Sequence, residues 1–190
     1  NPRSEFYKGP TPFSEPETQA IRNFVLGHNF TYGISFHSGA ELILYPWGYA
    51  HLPPPDETKF VEIAEYVSNV TGGTPYMQSC DLYISYGTWD DWMYGTKDVF
   101  ALTCEIFYNE TWEGTSEPGP YPNTSWAGGL KYWFNPFPSS IETTILRWLQ
   151  VFSYITNRAI TEVFGLQIHD VTIRSLRLSK SVVCQGYGLN

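Results

Sequence analysis

Apolar positions recur with helical spacing in some stretches of the chain and with strand spacing in others. Residues 1–16 carry Pro2, Pro10, Pro12 and Pro16 and show neither period. Glu15-Pro16-Glu17 then opens a helix: proline suits the first turn, a carboxylate favours its positive end, and Ile21, Phe24 and Val25 form an apolar face. His28-Asn29 ends it. Tyr32 to His37 reads as a strand, and Leu42 to Tyr45 as another that Pro46 stops. Pro53-Pro54-Pro55 is a stiff connector, after which Asp56 caps a helix with Phe60, Ile63, Ala64, Val67 and Val70 inward, closed by Gly72-Gly73. Thr88 to Tyr94 has the composition of a short helical turn. Val99 to Phe107 is an almost unbroken apolar run, as in a strand covered on both faces. Residues 108–138 make a long loop rich in Gly, Pro, Asn, Trp and Tyr, of a length usually associated with function. Ser139-Ser140 then caps a helix whose Ile141, Ile145, Trp148, Leu149, Phe152 and Ile155 share a face. From about residue 165 the alternation becomes that of strands (Ile168 to Leu178, then Val182-Val183), too short to bury a core alone.

Helices alternating with buried strands argue for an α/β domain. The 190 residues suit one domain or one domain and part of another. Composition narrows the function. A net charge of −8, from 11 Lys+Arg against 19 Asp+Glu, leaves no basic face for nucleic acid. No apolar run approaches the roughly 18 residues of a membrane span. Aromatics reach 17%, enough to line a cleft. Cys80, Cys104 and Cys184 cannot all pair and form no C-x-x-C, which excludes a zinc knuckle or disulfide scaffold. Sequons at Asn29, Asn69, Asn109 and Asn123 fit an exported, glycosylated chain, extracellular or on the cell surface.

Four segments carry candidate chemistry. They are Asn1 to Glu17; Ile34-Ser-Phe-His-Ser38 running on to Glu41-Leu-Ile-Leu-Tyr-Pro-Trp-Gly-Tyr49; Tyr83-Ile-Ser-Tyr-Gly-Thr-Trp-Asp-Asp-Trp-Met-Tyr-Gly95; and Val99-Phe-Ala-Leu-Thr-Cys-Glu105. Their order and spacing resemble the zinc metallocarboxypeptidases of the carboxypeptidase A/B type over roughly residues 1–160. The resemblance implies a zinc ligand at His37, on a strand end from which an imidazole can project into a cleft. It implies a general base at Glu105, ending a strand where a charge is expensive without a partner or a task. It implies that Tyr83 is the mobile tyrosine that closes over the substrate's terminal carboxylate. It places Asp90 at the base of the specificity pocket, where an acid would pair with a C-terminal Lys or Arg. The matched pocket positions Leu44, Leu82 and Ser85 are apolar or small, so mixed specificity stays open beside basic. Asp91 is the neighbour expected to be structural.

The departures are as informative. The family holds zinc, Zn2+, with His-x-x-Glu and a distant His. Here His28, His37, His51 and His169 all lack a Glu three residues on, and Glu41 lies four after His37. The family's Asn-Arg carboxylate clamp has no match either, because Asn157-Arg158 ends the last amphipathic helix. The chain is therefore expected to begin partway through the catalytic domain, with the other ligands upstream, and to be inactive and without tight zinc by itself. Cys104 reads as a small buried hydrophobe.

The predicted architecture is a three-layer α/β/α domain with a mixed central sheet, incomplete at its N-terminus, over residues 1–162. Residues 163–190 resemble a linker and the first strands of an immunoglobulin-like β domain. The leading function is a zinc exopeptidase acting on peptide or protein C-termini. The rival is a non-catalytic peptide- or glycan-binding module on the same fold. A cysteine hydrolase using Cys104 and His37 is a poor third, since Cys104 sits inside an apolar strand.

Overall fold

The apolar run that ends at Glu105 forms the centre of a sheet. In the computed structural model, which describes residues 9–107 and 138–165, it becomes β4 (Phe100–Phe107), flanked by β1 (Tyr32–His37) and β2 (Ala40–Tyr45), with β3 (Tyr76–Gln78) beyond β2. β1 pairs parallel to β4, β2 antiparallel to β4, and β3 parallel to β2, so the described sheet is mixed. Residues 108–137, nearly all of the loop expected over 108–138, the first eight residues and the tail from 166, with its expected β domain, His169 and Cys184, lie outside the described residues.

Side-chain alternation along these strands divides the core in two. On one face Ile34, Phe36, Ile43, Tyr45, Leu102 and Cys104 meet α2 (Glu57–Val70) through Phe60, Ile63, Ala64 and Val67, and α5 (Pro138–Phe164) through Trp148 and Val151. On the other, Ala101 and Val99 meet Met93 of α4 (Trp89–Lys97) and Val25 of α1 (Pro16–Leu26). A four-residue helix, α3 (Ser79–Leu82), leaves the end of β3. The result is the three-layer α/β/α arrangement with a mixed sheet.

Several local expectations shift. α5 begins at Pro138, so Ser139 and Ser140 lie inside the first turn and not before it. A proline with φ preset to the helical value can itself take the first helical position. Only part of the expected α5 face is covered: Thr144, Trp148 and Val151 are buried, while Ile141 and Phe152 are exposed. In α1, Val25 alone reaches the core, and Ile21 and Phe24 face outward. Asp56 stands at the α2 N-cap with no capping bond from its side chain; its carboxylate instead accepts from the Tyr94 hydroxyl at 2.7 Å. Thr71, Gly72 and Gly73 end α2, the Gly73 N–H donating to the Ser68 carbonyl with both glycines at positive φ.

α5 is tied down chiefly by Arg158. It donates to Glu62 at 2.8 and 3.2 Å, to the Tyr154 hydroxyl at 2.7 Å, to the Tyr32 hydroxyl at 2.8 Å and to Glu162 at 3.0 Å. Its guanidinium is thus committed to holding α5 against α2 and β1. On the opposite face, Gly33 lets α4 approach β1: a Cβ there would stand 2.7 Å from Trp89 Cη2.

Candidate active site

The parallel register of β1 and β4 places His37 directly beside Glu105. Both project from the sheet face that carries α4, as do Leu42, opposite Glu105, and Leu44, opposite Thr103. His37 Nδ1 lies 3.9 Å from Glu105 Oε1, beyond hydrogen-bond length. The imidazole is half-exposed, whereas the Glu105 side chain is only 16% exposed. Its Oε2 is buried and accepts no hydrogen bond among the described residues. Burial therefore pushes the Glu105 carboxyl above its usual range, and the adjacent His37 pulls it partway back.

A second group forms where Pro46 to Tyr49 turns against α3 and α4. The Asp91 carboxylate accepts the Gly48 N–H at 2.9 and 3.1 Å, and the Ser85 N–H donates to the Gly48 carbonyl at 3.0 Å. Gly48 has no room for a side chain, since a Cβ would stand 2.8 Å from Ser85 Oγ. Burial raises the Asp91 carboxyl, and the Gly48 N–H opposes that rise. Asp90, 2% exposed, accepts from Ser79 Oγ at 3.1 Å. Asp90 and Ser85 are thus gathered around one turn, with Leu82 and Tyr83 exposed at its edge; Tyr83 is 66% exposed. Leu44 is buried in the sheet.

Other candidates are spoken for. Glu41, four residues after His37, receives the fork of Arg147 at 3.0 and 3.3 Å, a residue that the sequence patterns did not single out. Cys104 is fully buried on the face opposite His37, and burial pushes its thiol up to about 12. No thiol–imidazole pair forms there. Cys80 and Cys104 are both free.

The donor set can be tested against zinc. A half-exposed imidazole at a strand end, beside a carboxylate with an unpaired buried oxygen, suits one ligand and an adjacent base. Among the described residues no further histidine or carboxylate joins His37 in a group of three donors. The set near His37 is therefore incomplete in these residues, and no step through the metal follows from them.

The sequence pattern of the family described as zinc carboxypeptidase matches residues 1–147. Carboxypeptidase A5 of Macaca fascicularis is 35% identical over 113 residues, which is 56% of this chain and 26% of that protein. Carboxypeptidase A1 of Rattus norvegicus is likewise 35% identical over 113 residues, 56% of this chain and 27% of that protein. The match thus spans about a quarter of the length of these curated relatives. Among solved structures, thrombin activatable fibrinolysis inhibitor superposes with a TM-score of 0.68 at 23% identity, over 84% of this chain and 37% of that one. Carboxypeptidase A from Helicoverpa armigera gives 0.63 at 19% identity, over the same shares, and both likenesses show the fold. With the α/β/α layers, the His37–Glu105 register and a pattern match across most of its length, the chain belongs to the zinc carboxypeptidase family.

Proposed function

We propose that the protein containing this chain is a zinc-dependent exopeptidase that removes C-terminal residues from peptides or proteins. The observation that carries this reading is the His37–Glu105 pair, with a buried carboxylate oxygen that nothing in the described residues occupies. A purely structural or binding role does not need a charge left unpaired there. His37 is read as one zinc ligand, and the remaining ligands belong to other parts of the whole protein. Zinc, when bound, supplies a Lewis acid for the scissile carbonyl and the attacking water. Glu105 takes the proton of that water and returns it to the leaving amine. Tyr83, exposed and at the end of a four-residue helix, is free to swing toward the substrate's terminal carboxylate.

Asp90 supports a preference for Lys or Arg at the substrate C-terminus, because this buried carboxylate meets only a serine hydroxyl and no cation among the described residues. The apolar neighbours Leu44 and Leu82 leave room for mixed specificity. The exposed Asn29 and Asn69 of two sequons support export, and no helix among the described residues is long and apolar enough to cross a membrane. The chain by itself is proposed to be inactive, since one imidazole does not hold a catalytic metal.

The test uses the whole protein. Glu105→Gln should lose most turnover, by 10²-fold or more on the order expected for a general base, while elemental analysis still finds zinc. Full activity in that variant rejects the assignment. Comparing Arg-ending with Phe-ending peptides before and after Asp90→Asn then decides the side-chain preference.

A further inference from the structure

The loop that follows β2 folds back over α3 and brings together three donors that the exopeptidase reading does not use. His51 Nδ1 lies 3.2 Å from Asp81 Oδ1. One ligand atom from each of His51, Asp81 and Cys80, the last its Sγ, lies within 4.8 Å of the other two. The His51 and Asp81 side chains are 66% and 54% exposed, and Cys80 beneath them is 2% exposed. We propose that His51, Cys80 and Asp81 form a second site, binding one zinc-type divalent ion with solvent or an exogenous ligand in the fourth position, so that the chain, expected from its sequence to hold no tight zinc, takes up an ion away from His37.

Chemistry and geometry both point that way. Imidazole, thiolate and carboxylate together suit a borderline-soft ion and not a hard one such as calcium or magnesium. Around a tetrahedral zinc at ordinary bond lengths, nitrogen and oxygen ligands stand about 3.3 Å apart, and sulfur stands about 3.6 Å from either. The His51–Asp81 separation is already at that edge length. From the 4.8 Å limit the thiol needs to close by about 1.2 Å at most, within reach of rotation about one bond in a four-residue helix. An exposed His–Asp pair by itself is worth little and gives no reason for a thiol under it. Binding expels the thiol proton to solvent.

The frame is held from both sides. The Cys80 N–H donates to the Trp47 carbonyl at 3.1 Å, and the Gln78 amide donates to the Leu52 carbonyl. The loop and α3 are thus stapled around the three donors before any ion arrives. The site stands at the far end of β2 from Glu105: Leu42 faces Glu105, while Gln78, next to α3, pairs with Tyr45. Three residues of strand separate those levels by roughly 10 Å. A metal here would fix the base of the segment that carries Tyr83.

The test is titration of the full chain, metal-free and carrying Cys184→Ser, with Co2+ alone. The expected result is one ion per chain with a thiolate-to-cobalt charge-transfer absorption. That absorption disappears in Cys80→Ser, and affinity falls roughly tenfold or more in His51→Ala and in Asp81→Asn. His37→Ala leaves all of this unchanged, which separates the site from the exopeptidase reading. His51 and Asp81 are exposed, so their variants keep the fold, as circular dichroism can verify. Cobalt binding without a charge-transfer band, a band that survives Cys80→Ser, or affinity unaffected by His51→Ala each overturns the proposal.

Discussion

Replacing Glu105 with Gln tests whether its carboxylate is held against its own stability. Burial raises the Glu105 carboxyl above its ordinary value of 4.5, with His37 opposing. Between the ordinary and the raised value, the folded chain binds more protons than the unfolded one. Stability contributed by Glu105 is therefore present at acid pH and is lost as pH climbs through that window. Each tenfold gain in proton affinity on folding corresponds to about 1.4 kcal/mol once pH is above the window. The structure sets the scale. One oxygen has no partner, the other is 3.9 Å from an imidazole, and the side chain is 16% exposed. Leaving such a group unpaired costs about 1–3 kcal/mol. Glutamine removes the charge but keeps two unpaired polar atoms, so the recovery should sit near 1 kcal/mol. For a chain of 190 residues that is a Tm gain of about 2–4 °C near neutral pH. Thermal and urea unfolding followed by tryptophan fluorescence, run on both chains across a pH series, measures it. The two stability curves should converge below pH 4.5 and part above it. Curves that stay parallel across the series would refute the reasoning, because they would mean that Glu105 titrates alike in folded and unfolded chains.

The remaining predictions concern the frame around the site. Arg158→Ala should cost about 1–3 kcal/mol in urea denaturation, since Glu62 and the Tyr154 hydroxyl lose their donor while Glu162 keeps Lys59; Arg158→Lys should recover only part. Gly33→Ala should cost about 1–3 kcal/mol by forcing Trp89 away from β1, read as a lower Tm with a shifted tryptophan emission. Asp91→Ala should lose about 1–3 kcal/mol by leaving the Gly48 N–H without its acceptor, whereas Asp91→Asn, which keeps one acceptor oxygen, should lose less. Tyr94→Phe should lose about 1 kcal/mol, measurable by the same melts, because its hydroxyl is the donor held by Asp56.

The strands and the longer helices were legible because burial imposes their periods. Val99 to Phe107 reads as covered on both faces and is the central strand, while Tyr32 to His37 and Leu42 to Tyr45 flank it. The side-by-side placement of His37 and Glu105 was not legible from period alone. It depends on a parallel register between strands separated by β2, α2, β3, α3 and α4, and only the family resemblance anticipated it. Helix faces were overread where an apolar stripe was wider than the contact available, as in α1, where only Val25 is buried. The His51–Cys80–Asp81 group was invisible for a related reason. His51 and Asp81 lie 30 residues apart, at no spacing that marks a metal motif, and a loop brings them together.

Acidic residues show most clearly what folding adds. Along the chain Glu41, Asp56, Glu62, Asp91 and Glu105 are alike, carboxylates on or beside helices and strands. In the fold, Glu41 faces Arg147, Glu62 faces Arg158, Asp56 takes a tyrosine proton and Asp91 takes the Gly48 N–H. Each has a partner that accounts for its place. Glu105 alone of these five keeps a buried oxygen without one. That difference separates a carboxylate that holds the structure together from one kept at a cost. Glu41, nearest to His37 in sequence and on a strand of the same sheet, is removed from consideration as a ligand by a single guanidinium. Glu105 stays in consideration because the described fold offers its charge so little. If Gln at that position stabilises the chain at neutral pH, the native carboxylate is there against the interest of folding, which is what a proton-transferring group in a low-dielectric site requires.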